Sequence, residues 1–354
     1  MKFNFLSTAI GSMPFGEPKH AIDVSLKNLD APIWPQLSSF GLNEQMEIQY
    51  SEGIPRIVID REKSRMYFDT TGDYSEEFAS FYENYIMAMD PDEGNGDCSA
   101  MAISPEFSKG IYALEEELKA RGKKLPFLKI QVTGPCSFAL TIVDEMKRAI
   151  YYNEEFRDVV VKAIAMKCRW QIQKFKPYAE KIICFIDEPI LSAFGSSTYV
   201  SVDRDDVVAI LQEVIEAVYS DGAIAGIHCC GNTEWSILMD AGVDIVNFDA
   251  FEYGETIAIY PEHVKAHLER GGTLAWGIVP TSVAIREQSV DTLEAQFEKV
   301  MDNLASKGIN KQLIVEHAII TPSCGTGSMD EADAEKVFEM TKLLSARMKE
   351  KYDF

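Results

Sequence analysis

The chain has 354 residues, 46% of them hydrophobic, and a formal charge of -22. That apolar content can fill a large core, while the negative excess excludes nucleic acid and anionic lipid as partners, since phosphates would be repelled over most of the surface. No run approaches eighteen apolar residues and the start MKFNFLSTAIGSMP lacks the basic-then-apolar order of a secretory signal, which excludes a membrane span and predicts a cytoplasmic location.

In chain order, short β-rich runs alternate with amphipathic stretches, the pattern of parallel strands joined by crossover helices. The strands predicted this way are Asn4–Ile10, Pro32–Pro35, Phe127–Val132, Ile182–Ile186, Ala223–Ile227, Ile245–Phe248, Thr273–Trp276 and Gln312–Val315. Between the second and third, RIVID and RMYFD flank a charged turn and predict a β-hairpin, followed by a helix over Glu76–Met89. Eight strands with intervening helices in a chain of this length predict an α/β fold, a TIM (β/α)8 barrel with a hairpin and helix insertion between strands 2 and 3. With no low-complexity linker and no internal repeat, residues 1–354 are expected to form one domain.

Barrel enzymes build their sites from loops at the strand C-termini. Beyond these runs stand Gly11 and Ser12, Thr133-Gly134-Pro135, Asp187-Glu188-Pro189, His228-Cys229-Cys230, Asp249, Pro280-Thr281 and Pro322-Ser323-Cys324-Gly325. Seven cysteines, Cys98, Cys136, Cys168, Cys184, Cys229, Cys230 and Cys324, are too sparse for a disulfide framework, and most read as small buried hydrophobes. Cys229 and Cys230 beside His228 differ, because thiols next to imidazole are a metal-ligand pattern. Zinc favours thiolate and imidazole, and a catalytic site uses three protein ligands with a fourth position open. His228, Cys230 and Cys324 supply such a trio. In an extended strand end His228 and Cys230 point the same way while Cys229 turns aside. Asp187 can also be read as a helix cap and Glu188 as a partner of a barrel cation, and His317 as an interior histidine.

IGSMP from Ile10, TGP from Thr133, IDEP from Ile186, HCC from His228 and PSCG from Pro322 occur in the order seen in cobalamin-independent methionine synthase. Across nearly its whole length the chain resembles that family's catalytic barrel, which is related to uroporphyrinogen decarboxylase. The resemblance implies a zinc-dependent S-methyltransferase that converts homocysteine to methionine, with His228, Cys230 and Cys324 as zinc ligands. It places the contact to the homocysteine amine on Asp187, with Glu188 beside it as a second candidate catalytic carboxylate. Ile10, Gly11 and Ser12 would meet the amino-acid carboxylate. The family's acidic ligand ends its sixth strand; here strand phase selects Asp249 and simple spacing selects Glu252.

Two departures bear on the methyl donor. The family's N-terminal barrel, which helps hold a polyglutamyl folate, has no counterpart, and GIVPT stands where the family carries a catalytic histidine. A methyl on a folate nitrogen needs an acid as it leaves, whereas a methylated corrinoid such as methylcobalamin needs none. The expected donor is therefore a corrinoid, free or on a partner protein. The rival expectations are methylcobalamin-dependent methylation of another thiol such as coenzyme M, and a non-catalytic zinc- or thiol-binding protein.

Overall fold

The computed structural model describes residues 1–90 and 94–354. Its strands are β1 (Leu6–Ser7), β2 (Ile57–Asp60), β3 (Arg65–Phe68), β4 (Leu125–Thr133), β5 (Val143–Asp144), β6 (Ala179–Asp187), β7 (Ile224–Cys229), β8 (Ile245–Phe248), β9 (Thr273–Val279) and β10 (Ala318–Pro322). Seven form one parallel sheet in the order β1-β10-β9-β8-β7-β6-β4. Helices such as Glu154–Phe175, Arg204–Ser220, Val290–Ser306 and Glu331–Lys351 connect the strands or follow the last one. The curled sheet fits a TIM-like barrel. No helix among the described residues is long and apolar enough to cross a membrane.

The two edges of that sheet, β1 and β4, approach each other across residues 31–36. Ala31 N donates to Ser7 O at 3.0 Å, Gln36 N to Gly11 O at 3.0 Å and Met13 N to Gln36 O at 2.9 Å, while Lys129 N donates to Pro32 O at 2.8 Å. The second expected strand, Pro32–Pro35, is thereby corrected to a segment making isolated bridges, Ile33 with Lys129 and Gln36 with Ser12. Its two prolines lack the N–H groups a continuous ladder requires.

A second correction concerns Gln312–Val315, which lies inside a short helix, Lys311–Glu316; the last strand is Ala318–Pro322. Asn310 caps that helix, its Oδ1 accepting from Gln312 N at 2.9 Å. The apolar residues 313–315 and 318–320 are separated only by Glu316 and His317, so the apolar pattern alone misplaced the boundary. In the excursion that precedes β4, β2 and β3 pair antiparallel, and β5, which follows β4 in the chain, adds beside β3. Lys167, fully buried on the Glu154–Phe175 helix, ties this excursion down by donating to Glu52 O at 2.6 Å and Met101 O at 3.3 Å.

Side chains on the parallel strands alternate between an outer core under the helices and the barrel interior. Leu6, Ile10, Ile183, Phe185, Ile245, Ala275 and Ile319 fill the interior. Register carries the same parity from strand to strand: Thr133 pairs with Asp187, Asp187 with His228, and His228 with Asn247. Four polar side chains from four strands thus share one inward-facing layer at the C-terminal end of the barrel.

Candidate metal and substrate site

Ligand atoms of His228, Cys230 and Cys324 lie within 4.8 Å of one another. His228 closes β7 on its interior side, Cys229 turns outward into the apolar core beneath the helices, and Cys230 comes one residue past the strand where the chain bends back to the interior. Cys324 follows β10. Gly325 lets this loop meet the first strand's extension, because a Cβ there would overlap Ser12 Oγ. Gly327 N then donates to Ser12 Oγ at 3.2 Å and Thr326 N to Ser12 O at 2.8 Å.

The electrostatics suit a soft cation. A hydrogen bond from Cys324, joined by His228, pushes the Cys230 thiol down to about 4, and the same contact holds Cys324 well above the usual thiol range. Burial lowers His228, but Cys230, Asp187 and Asn247 outweigh it and the imidazole stays above its ordinary value. One nitrogen and two sulfurs, one of them drawn toward its thiolate form, match the donor set of a zinc centre with a fourth position open.

A cavity of about 110 Å³ opens against this trio, lined by Ile10, Gly11, Ser12, Asp187 and also by Gln36, Met46 and Pro189. Asp187 Oδ1 is buried without a hydrogen-bond partner in the chain. Burial raises its carboxyl to about 6 against the opposing pull of Lys129 and His228. Lys129 is buried within the barrel, donating to Ile10 O and lying 4.6 Å from the centre of the Phe185 ring; burial lowers its ammonium to about 8. The pocket therefore offers a desolvated, unpaired carboxylate above a buried cation, beside the three metal-ligating atoms. Drug-sized ligands occupy pockets of about 300–1,000 Å³, so this cavity suits an amino-acid-sized molecule.

Two sequence-selected acids stand elsewhere. Glu188 is fully buried and faces the start of the Pro135–Thr141 helix, accepting from Cys136 N at 2.9 Å, Ser137 N at 2.7 Å and Ser137 Oγ at 2.7 Å. Gly134 permits this approach, as any side chain there would collide with the Glu188 carboxyl. Burial still raises Glu188 to about 7. Asp249, directly after β8, lies outside the trio of mutually close ligand atoms, and its Oδ1 accepts from Glu252 N at 2.9 Å. Burial raises it to about 6. Glu252 caps nothing in the cavity and does not line it.

Gln36 and Met46 line the cavity without having been singled out from the sequence, whereas Pro189 belongs to the Asp187-Glu188-Pro189 loop named there. Gln36 carried a usable signal, since it directly follows the second predicted strand, whose C-terminal end was not searched for polar residues. Met46 sits at the start of a one-turn helix, Met46–Gln49, within the excursion, a position no motif marks.

No family profile and no curated protein matches the chain. Among solved structures, it is similar to a methyltransferase from Methanosarcina mazei, with a TM-score of 0.54 and 17% identity over 95% of this chain and 86% of that one. It is also similar to a B12-independent methionine synthase from Shewanella sp. W3-18-1 in complex with selenomethionine, with a TM-score of 0.55 and 11% identity over 98% and 99% of the two chains. At these identities the likeness is one of fold, shared over the full span of a single barrel.

Proposed function

We propose that this chain is a zinc-dependent S-methyltransferase that methylates homocysteine to methionine. The observation that carries the reading is the meeting, in one small cavity, of the His228, Cys230 and Cys324 donor atoms with the unpartnered carboxylate of Asp187. The two similar folds, described as a methyltransferase and a methionine synthase, support it.

When bound, zinc removes the proton from a ligating thiol and keeps the sulfur nucleophilic at neutral pH. The protein's own part is positioning. Asp187 takes the substrate ammonium, a contact that also settles its ionisation, because a cation replaces the missing partner of a carboxylate already poised at about 6. The Ile10-Gly11-Ser12 segment meets the amino-acid carboxylate, and Lys129 holds the Ile10 carbonyl from below. Fixed at both ends, the thiol attacks a methyl group almost as a unimolecular event. A sulfur lone pair forms the S–CH3 bond while the bond from carbon to the donor breaks, its electron pair leaving with the donor. Three donor atoms converge at the cavity, and with the substrate thiol as a further ligand the centre would serve an enzyme rather than a closed structural zinc site.

The proposed donor is a methylated corrinoid, free or on a partner protein. Among the described residues that line the cavity Asp187 is the one carboxylate, and the substrate amine engages it, which leaves no second carboxyl there to protonate a departing nitrogen. Cobalt leaves with the bonding pair and needs no proton. A macrocycle exceeds the cavity and would present its methyl group from the mouth. One observation favours a second reading with a folate donor: the similar fold described as B12-independent is matched over 99% of its chain.

The test incubates zinc-loaded protein with homocysteine and either methylcobalamin or polyglutamyl methyltetrahydrofolate, following methionine by mass spectrometry. Methionine from methylcobalamin is expected. Turnover with folate alone would replace the donor; methylation of coenzyme M with no methionine from either donor would replace the acceptor.

A further inference from the structure

Asn247 is fully buried in the barrel interior on β8, hydrogen-bonds to His228, and belongs to neither the metal-ligating nor the substrate-facing set. Its amide is held from the side away from the site. Nδ2 donates to Ala275 O at 2.9 Å and to Thr321 Oγ1 at 2.9 Å. A backbone carbonyl can only accept, so the amide nitrogen must face Ala275 and the amide oxygen must face the other way. That oxygen lies 2.5 Å from His228 Nδ1. An amide oxygen can only accept in turn, so His228 Nδ1 carries a proton and donates it. With Nδ1 engaged by Asn247, Nε2 is the nitrogen left to meet a metal at the Cys230 and Cys324 sulfurs.

We infer that Asn247 is the positioning residue of the metal centre: backbone geometry on β9, relayed through its amide, dictates that His228 binds zinc through Nε2. The relay starts from a strand that contributes no ligand. It fixes both the tautomer and the plane of the ring, since rotation of the imidazole would break the bond to Asn247 and leave the Nδ1 proton buried without an acceptor. Register makes the arrangement possible, as His228 pairs with Asn247 and Asn247 with Ala275 on three consecutive strands. The inference rests on the zinc reading above, and its test separates the two.

Chelator competition measures zinc affinity in Asn247→Leu and Asn247→Asp. The leucine variant is expected to bind zinc roughly 10–100-fold more weakly, the range for removing a partner that orients a ligating histidine. The aspartate variant keeps an acceptor for the Nδ1 proton and is expected to recover at least about half of that loss on a logarithmic scale. Equal weakness of both variants, or a leucine variant within about twofold of the parent, would overturn the inference. A second measurement needs no variant: long-range proton–nitrogen correlation on 15N-histidine-labelled parent protein is expected to show His228 protonated at Nδ1, with and without zinc. Protonation at Nε2 with none at Nδ1 would overturn the inference even if zinc binds. Absence of zinc binding by the parent would instead sink the metal reading, while the metal-free spectrum still decides the tautomer.

Discussion

Adjacent residues of one type, Cys229 and Cys230, differ in everything that matters for chemistry. Burial, reinforced by the charges of Cys230 and Glu188, raises the Cys229 thiol to about 12, whereas Cys324 and His228 draw Cys230 down to about 4. Strand parity is the cause, since one side chain faces the outer core and the next faces the site. Replacing Cys230 or Cys324 by Ser is therefore expected to abolish stoichiometric zinc while the circular dichroism stays that of the parent; Cys229→Ser should keep the metal. Both site variants retaining one zinc per chain under chelator challenge would refute the ligand set. The trio was legible because thiols next to imidazole are rare and the interior parity of β7 could be counted. Asn247 was not, since an asparagine inside an apolar strand carries no chemical signature until its neighbours on β7 and β9 are known.

At the level of elements, the short loop after β6 divides its two acids between two tasks. Asp187 ends the strand facing the cavity, and Glu188, one residue later, faces the opposite way and satisfies the first amides of the Pro135–Thr141 helix. Those N–H groups have no partner within the helix, so the carboxylate does what a capping side chain does, from a neighbouring strand. Glu188→Ala is expected to lower unfolding stability in urea by about 2–4 kcal/mol, because buried donors lose their acceptor, with zinc affinity nearly unchanged. Unchanged stability with lost methyl transfer would return Glu188 to the chemistry. The DEP motif made both acids visible as candidates but could not separate them: the division depends on where β4 and its helix lie beside β6. Similarly, Ala318–Pro322 was displaced toward Gln312 because the Lys311–Glu316 helix is as apolar as a strand, although Asn310 offered a cap that would have marked the boundary.

For the whole molecule, burial makes stability depend on pH in an unusual direction. Asp187 and Asp249 sit at about 6 and Glu188 at about 7, all above their unfolded values of roughly 4. A group raised on folding holds its proton longer in the native state, so its contribution is complete below pH 4 and is lost as pH rises through 6 to 7. The carboxylates drawn below their ordinary values, such as Asp30 and Glu294, act in the acid range below this window. Metal-free protein is thus expected to show a urea midpoint that falls steadily between pH 4.5 and 7, in the same sense as the self-repulsion of a chain at -22. A midpoint that rises across that interval would contradict these burial effects.

The junction between β1 and β4 gives the barrel a preferred place to breathe. Elsewhere in the ring strands are laced by ladders, eight register pairs between β4 and β6, while here the connection rests on isolated bridges around two prolines. The residues on that junction, Ile10, Gly11, Ser12 and Gln36, are also a wall of the cavity. A ligand entering this cavity therefore meets the part of the ring that is held by isolated bridges rather than by a ladder.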